Sequence, residues 1–242
     1  MATYNGEKYL KEQIDSILCQ IESTDELVIS DDGSTDNTVK IINSYNDDRI
    51  KLFSHLPSKS KYRFDKTTHN FENAINHSTG NIIILADQDD VWLPNKVVTI
   101  IDALSYNDIV CSDCKIVDDK LDLLYESKFE QDKPSNRIFS NLISPSNIGC
   151  CMAFNRCVLD RVLPFPKYGV AQDLWIAVFG SMYYNFCYIQ KPLILYRRHN
   201  GALSATSVRK SGDSLSYKIS YRLRYLLAII RKGDVSHIIR NL

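Results

Sequence analysis

The chain has 242 residues, 44% hydrophobic and 24% charged, with 9 Gly and 7 Pro, which excludes a disordered or fibrous protein and allows a large core. Formal net charge is zero, so nothing global points to nucleic acid. Ten Lys/Arg against two Asp over residues 197–242 nevertheless put a basic end on an acidic body, which predicts an anionic partner such as lipid headgroups there.

The N-terminal "MATYNGEKYL" lacks the apolar core of a signal peptide, and no stretch reaches the ~18 apolar residues of a membrane span. Seven Cys without a regular framework read as reduced thiols, so a cytoplasmic location is expected. Cys111 and Cys114 form a lone C-x-x-C inside an apolar stretch and read as core thiols, because no second pair with zinc-like spacing exists.

Residues 6–20 place Leu10, Ile14, Ile17 and Leu18 on one helical face. "ELVIS" (26–30) predicts a strand, followed by "DDGSTDNT" and a helix over "VKIINSY" with Ser34 or Thr35 as N-cap and Asp36 complementing the dipole. "IKLFS" (50–54) is a further strand, residues 70–78 a helix, and Ile82–Ala86 a strand apolar on both faces. Pro94 opens a helix carrying Val97, Val98, Ile101 and Leu104, and "DIVCS" (108–112) returns to strand. Residues 115–148 read as loop-rich, "CCMAFN" (150–155) as strand, 173–184 as helix, "PLILYR" (192–197) as a late strand, 198–214 as a mobile loop and 215–240 as a basic helix. This alternation predicts an α/β fold, a mostly parallel central sheet flanked by helices, with residues 1–200 as the main domain and 201–242 as a basic loop and helical extension.

Two strands end in carboxylates: Asp31-Asp32, and Asp87-Gln88-Asp89-Asp90. Ligands of open α/β sheets bind at carboxyl strand ends, and two acidic clusters at one edge call for a cation or for hydrogen-bond donors; a hard divalent ion shared with substrate phosphates suits them. The alternative is that these aspartates only cap the helices that follow. Neither G-x-G-x-x-G nor G-x-x-x-x-G-K-[ST] occurs, so a phosphate would be held by metal and by cations such as Arg197, Arg198 and His199 of "LYRRHNG".

"MATYNGEKYLKEQIDSIL", "LVISDDGSTDNT", "ILADQDDVWLPNK", "GCCMAFNR", "QDLW" and "YRRHN" resemble, in that order and over roughly residues 1–200, the landmarks of family 2 glycosyltransferases. The resemblance implies a GT-A fold, a nucleotide-diphosphate sugar as donor, Mn²⁺ or Mg²⁺ as cofactor, and transfer usually with inversion. It also implies a saccharide or lipid-linked saccharide acceptor in cell-surface polysaccharide synthesis, and "DQDDVW" is similar to bacterial rhamnosyltransferases that use a deoxythymidine donor.

By position, the resemblance puts Thr3, Tyr4, Asn5, Asp31 and Asp32 around the nucleotide, with Arg197 and Arg198 toward the phosphates. Asp89 would ligate the metal, with Asp87 and His199 beside it and Asp87 also facing the ribose or sugar; Asp90 supports them. Asp173 of "AQDLW" falls where the family keeps its general base, although Gln172 stands where Glu or His often precedes it. Trp92, Gly149 and Trp175 are candidates for acceptor contacts. The family normally has apolar residues before "ATYN", so the first strand is expected to be a stub. A basic helix with Ile219, Leu223, Leu226 and Ile230 on one face adds a possible peripheral contact with the cytoplasmic face of the plasma membrane. Two other readings stand beside this one: "IILADQDDV" fits the nucleophile motif of haloacid-dehalogenase-like phosphatases, and a non-catalytic nucleotide- and metal-binding protein would keep the same aspartates.

Overall fold

The computed structural model describes residues 1–56, 60–62, 64–135, 147–167, 169–199 and 214–232. Most of the expected 198–214 loop, and residues 233–240 of the expected helix, lie outside the described residues. The first three strands, β1 (Ala2–Thr3), β2 (Leu27–Asp31) and β3 (Ile50–Ser54), pair in parallel in the order β1-β2-β3. The helices between them, α1 (Leu10–Leu18) and α2 (Thr38–Asn43), supply the crossovers, and α1 buries Leu10, Ile14 and Ile17. Strand β1 has two residues, both buried and both paired with β2.

Beyond α3 (Asp65–His77) a second sheet begins. It contains β4 (Ile82–Ile84), β5 (Val91–Trp92), β6 (Ile109–Val117), β7 (Leu123–Tyr125), β8 (Met152–Asn155) and β9 (Phe186–Arg197), in the order β4-β8-β6-β9-β5 with β7 on β6. The expected parallel pairing holds for β1–β3 and for β6 with β9, whereas β8 runs antiparallel to both β4 and β6, and β5 antiparallel to β9. β4 and β5 stand at opposite edges of this sheet, and the six residues 85–90 between them carry the chain from one to the other, past the acidic turn Asp87–Asp90.

Helix α4 (Lys96–Leu104) starts two residues after Pro94, with Asn95 in left-handed conformation at φ 67°. The N-cap expected at Ser34 or Thr35 falls instead on Asn37, because Ser34 is taken up by its own turn, while Asp36 accepts the Thr38 amide at 2.9 Å as a first-turn acid should. Cys111, Cys114, Cys150 and Cys151 are buried free thiols, as expected for the core.

The later helices are α5 (Lys128–Gln131), α6 (Leu159–Val162), α7 (Gln172–Trp175, widening into a π-helical turn over Ile176–Gly180) and α8 (Leu215–Lys232). Trp175 corrects an expectation. It is fully buried, stacks on Phe179 with ring centroids 4.5 Å apart, and donates its indole N–H to the Val162 carbonyl at 3.0 Å. Trp92 is also a core residue, lying under the Lys96 ammonium at 5.1 Å. Neither indole borders the cleft described below, so neither is an acceptor contact; both sit on the apolar, inward side of their elements, where a large ring stabilises the core most.

Trp175→Ala should therefore destabilise the fold by about 3–5 kcal/mol. Chemical denaturation measures this; a change in acceptor affinity at unchanged stability would return Trp175 to the site.

Candidate active site

The carboxyl ends of β1, β2 and β4 and the end of β9 open onto a cleft of about 990 Å³. Asp32 borders it, and its Oδ1 lies 2.7 Å from Nδ1 of His55, a residue just past β3 that no sequence motif marked because it is 23 positions away. Asp31, one residue earlier, does not border the cleft. Its Oδ2 accepts the amides of Gly33 (3.1 Å) and Ser34 (2.9 Å), and its Oδ1 the Ser34 hydroxyl, so it forms the turn and leaves Asp32 to face the ligand. Gly33 at φ 79° is the residue that lets this turn close.

The Thr3–Asn5 segment is held by Gln88, which sequence reasoning passed over as the spacer between two acids. Its Oε1 accepts the Thr3 hydroxyl (2.6 Å) and the Tyr4 amide (2.8 Å), while its Nε2 donates to the Tyr4 carbonyl (3.1 Å). The side chain thus pairs with Tyr4 as a neighbouring strand would. Gly6 makes room for it: a Cβ there would stand 2.4 Å from Gln88 Oε1. Asn5, at φ 48°, accepts the Thr35 amide on its Oδ1 at 2.8 Å and donates its own amide to Ser34, tying the two cleft loops together. Thr3 is buried, whereas Tyr4 is half exposed and borders the cleft.

At the end of β4, Asp87 and Asp89 face the cleft and Asp90 turns into the core. Burial, with Asp89 and Asp173 nearby, pushes the Asp87 carboxyl up to about 8; burial, with Asp89 and Asp87 nearby, raises that of Asp90 as well. Asp89 Oδ2 is 2.8 Å from His199 Nε2, whose ring packs on Tyr9 at 4.8 Å. Asp87 and Asp90 have a different companion, Cys150: one potential ligand atom from each of the three falls within 4.8 Å of the others. Crowded carboxylates with an imidazole beside them form an oxygen-rich donor set that fits a hard divalent ion.

Arg197, expected to reach the donor phosphates, is committed elsewhere. Its amide donates to Asp90 Oδ1 (3.0 Å), its Nε to the Asp89 carbonyl (2.8 Å), its Nη1 to the Asp119 carbonyl (2.9 Å) and its Nη2 to the Glu12 carboxylate. The guanidinium also covers the Tyr9 ring at 4.4 Å. Arg197 lines the cleft, but it is only 3% exposed and its guanidinium is bonded to the Asp89 and Asp119 backbone and to Glu12, so it positions the acidic turn. Arg198 borders the cleft, its guanidinium 5.5 Å from the Tyr125 ring.

Asp173, which also lines the cleft, begins α7 and is half-buried. Burial raises its pKa, while hydrogen bonds from the amides of Leu174, Asp173 itself and Gly149 act against the shift. Gly149 lies against it: a Cβ there would touch the Asp173 Cβ and the Gln172 amide at 3.5 Å. Gln172 accepts the Thr68 hydroxyl at 3.1 Å and so anchors α7 to α3, which is structural work and not a proton relay. The geometry thus brings Thr3, Tyr4, Asn5, Asp32, Asp87, Asp89, Gly149, Asp173, Arg198 and His199 to one cleft.

Comparison with known proteins identifies the family and the fold. Residues 1–163 match the family model described as glycosyl transferase family 2. The chain is 27% identical over 237 residues to the dTDP-rhamnosyl transferase RfbG of Shigella flexneri, covering 92% of this chain and 77% of that protein. It is 29% identical over 253 residues to the UDP-Glc:alpha-D-GlcNAc-diphosphoundecaprenol beta-1,3-glucosyltransferase WfgD of Escherichia coli, covering 98% and 93%. Among solved structures, S. aureus TarS 1-349 in complex with UDP-GlcNAc superposes with a TM-score of 0.63 at 18% identity, over 96% of this chain and 72% of that one, which establishes the GT-A fold. A nucleophile motif belonging to a phosphatase would end the first strand, whereas Asp87 and Asp89 follow the fourth. With the strand-end carboxylates, Asp173 and the match over residues 1–163 in agreement, the chain belongs to glycosyl transferase family 2 and is a glycosyltransferase that binds a nucleotide sugar.

Proposed function

We propose that the protein is a metal-dependent, inverting glycosyltransferase that moves a sugar from a nucleotide-diphosphate donor to a saccharide on a lipid carrier, within cell-surface polysaccharide synthesis. The observation that carries this reading is that Asp173, Asp87 and Asp89 line one cleft. The two sides do different chemistry. On the donor side, Asp32 and the Thr3–Asn5 segment receive the nucleoside, and Asp89, Asp87 and His199 would hold Mn²⁺ or Mg²⁺. When bound, that ion neutralises the charge growing on the departing diphosphate. Arg198 is the side chain placed to add a second positive charge.

On the acceptor side, Asp173 takes the proton of the attacking hydroxyl as its oxygen bonds to the anomeric carbon. The bond from that carbon to the diphosphate oxygen breaks on the opposite face, its electron pair leaves with the nucleoside diphosphate, and configuration inverts. A single displacement needs only a proton acceptor, which a carboxylate provides without forming a covalent intermediate. Support for the lipid-linked acceptor comes from WfgD, whose name specifies a diphosphoundecaprenol acceptor, and support for a rhamnosyl donor from RfbG. A thermal-shift screen of nucleotide diphosphates with Mn²⁺ tests the donor assignment, since a bound ligand stabilises the fold by an amount that grows with the logarithm of its concentration over Kd; no shift with any of them would reject it.

Asp89→Asn should abolish the metal-dependent part of nucleotide-diphosphate binding and leave the fold intact. Titration calorimetry with and without Mn²⁺ reads this directly, and unchanged metal-dependent affinity removes Asp89 from the metal set.

Asp173→Asn should lower transfer by about 10² to 10⁴-fold while leaving donor affinity nearly unchanged. Because the Asp173 pKa is raised, the acid limb of the wild-type pH–rate profile should lie above that of an ordinary carboxylate. The same shift has a stability counterpart. A folded-state pKa raised above the unfolded one favours the protonated form, so this contribution is complete below 3.8 and is lost as pH rises through the raised value. The Asn variant should therefore be at least as stable as wild type at neutral pH. Near-normal transfer would rule out the base assignment.

A further inference from the structure

Helix α8 has two apolar faces. Tyr225, Ala228 and Ile229 are buried, and the contacts of this face run to the acceptor side of the cleft. The Tyr225 hydroxyl donates to the Leu174 carbonyl, the Ala171 amide donates to the Tyr221 hydroxyl at 3.4 Å, and Lys232 Nζ donates to the carbonyls of Val162 (2.8 Å) and Pro164 (2.7 Å). Those bonds attach α8 to both ends of the segment 162–174, immediately beside Asp173.

The other face is uncovered. Ile219, Leu223, Leu226, Leu227 and Ile230 are 48%, 54%, 39%, 52% and 53% exposed. At 3.6 residues per turn they fall within an arc of about 100°, with Arg222 on one side and Arg231 on the other. The helix contains no Asp or Glu over Leu215–Lys232. Five large aliphatic side chains in one exposed row mark a contact surface. No helix among the described residues is long and apolar enough to cross a membrane, so the row suits a helix lying in an interface. A second copy meeting this face about a two-fold axis would set the same cations against each other, whereas an anionic lipid surface accepts both the aliphatic row and its cationic borders.

We propose that the outer face of α8 seats in the surface of an anionic bilayer and, through Tyr221 and Tyr225, holds the Asp173 end of the cleft at that surface. This rests on the lipid-linked acceptor proposed above and adds the element that delivers the enzyme to it. An acceptor whose carrier lies in the membrane then presents its sugar hydroxyl to a base already at the same depth.

The test uses the full chain and the double variant Leu223→Glu/Leu227→Glu, which alters only exposed positions and should keep the wild-type melting temperature and nucleotide affinity. Wild type should co-sediment with vesicles of equal parts phosphatidylglycerol and phosphatidylcholine, and more weakly with phosphatidylcholine alone or in high salt. The variant should bind at least tenfold more weakly. Equal sedimentation of the two proteins, or a wild-type dimer in ultracentrifugation that the variant loses, would overturn the proposal. A second arm compares transfer to a polyprenyl-diphosphate saccharide in those vesicles with transfer to a water-soluble saccharide analogue. The variant should lose the first at least tenfold and keep the second, and an equal loss of both would refute the coupling. If neither protein transfers sugar to either acceptor while vesicle binding still separates them, the acceptor assignment fails and the docking surface stands.

Discussion

The structure is organised around the cost of placing three carboxylates in the four residues Asp87–Asp90 at the mouth of a buried strand. Like charges about 4 Å apart repel by roughly 4 kcal/mol near a protein surface, and the pKa values of Asp87 and Asp90 are raised first by burial and then by their acidic neighbours. Arg197 is the fixed counterweight. It bonds to Asp90 through its amide and to the Asp89 backbone, the Asp119 backbone and Glu12 through its guanidinium. Because Arg197 ends the twelve-residue strand β9, which pairs along β6, the position of the acidic turn is set by the sheet and not by the turn itself.

A second layer of constraint joins the loops to that turn. Gln88 pairs with the main chain of Tyr4, Asn5 bonds to the Ser34–Thr35 turn, and Asp31 closes that turn from within. Three loops distant in sequence therefore share one rigid junction, and Asp32 and Asp89 inherit their positions from it. Preorganisation of this kind lowers the entropy lost when a flexible nucleotide diphosphate is ordered against the protein. Polar side chains that look like ligand contacts in the sequence are partly consumed in building the cleft.

Asp173 is placed by different means. Its helix is anchored to α3 by Gln172, to α6 by the Trp175 indole and to α8 by Tyr225, while Gly149 packs closely against it. The Asp87–Asp89 side of the cleft thus depends on polar bonds between loops and the Asp173 side on packing among helices. That division allows the acceptor side to respond to what α8 touches without disturbing the nucleotide pocket.

The strands β2, β3, β4 and β6, the helices between them and the acidic ends of β2 and β4 were legible in the sequence, because apolar periodicity and local motifs are properties of neighbouring residues, whereas β5 was not anticipated. Pairing direction in the second sheet was not: the short link from β4 to β5 looks like any loop until the strands are seen to reverse. Nor could sequence divide near-identical neighbours between tasks. Asp31 and Asp32 are adjacent, yet the turn consumes one and leaves the other bordering the cleft; Arg197 and Arg198 both line the cleft, yet the first is nearly buried and bonded to the acidic turn while the guanidinium of the second lies by the Tyr125 ring. Trp92 and Trp175 carry the chemistry of sugar-stacking residues, and only their burial identifies them as core. The sequence by itself determined which chemical groups are present and in what order along the fold. Tertiary structure decided which of them still have an unoccupied face to offer a ligand, since that depends on partners such as Gln88, His55 and Glu12 that lie far away along the chain.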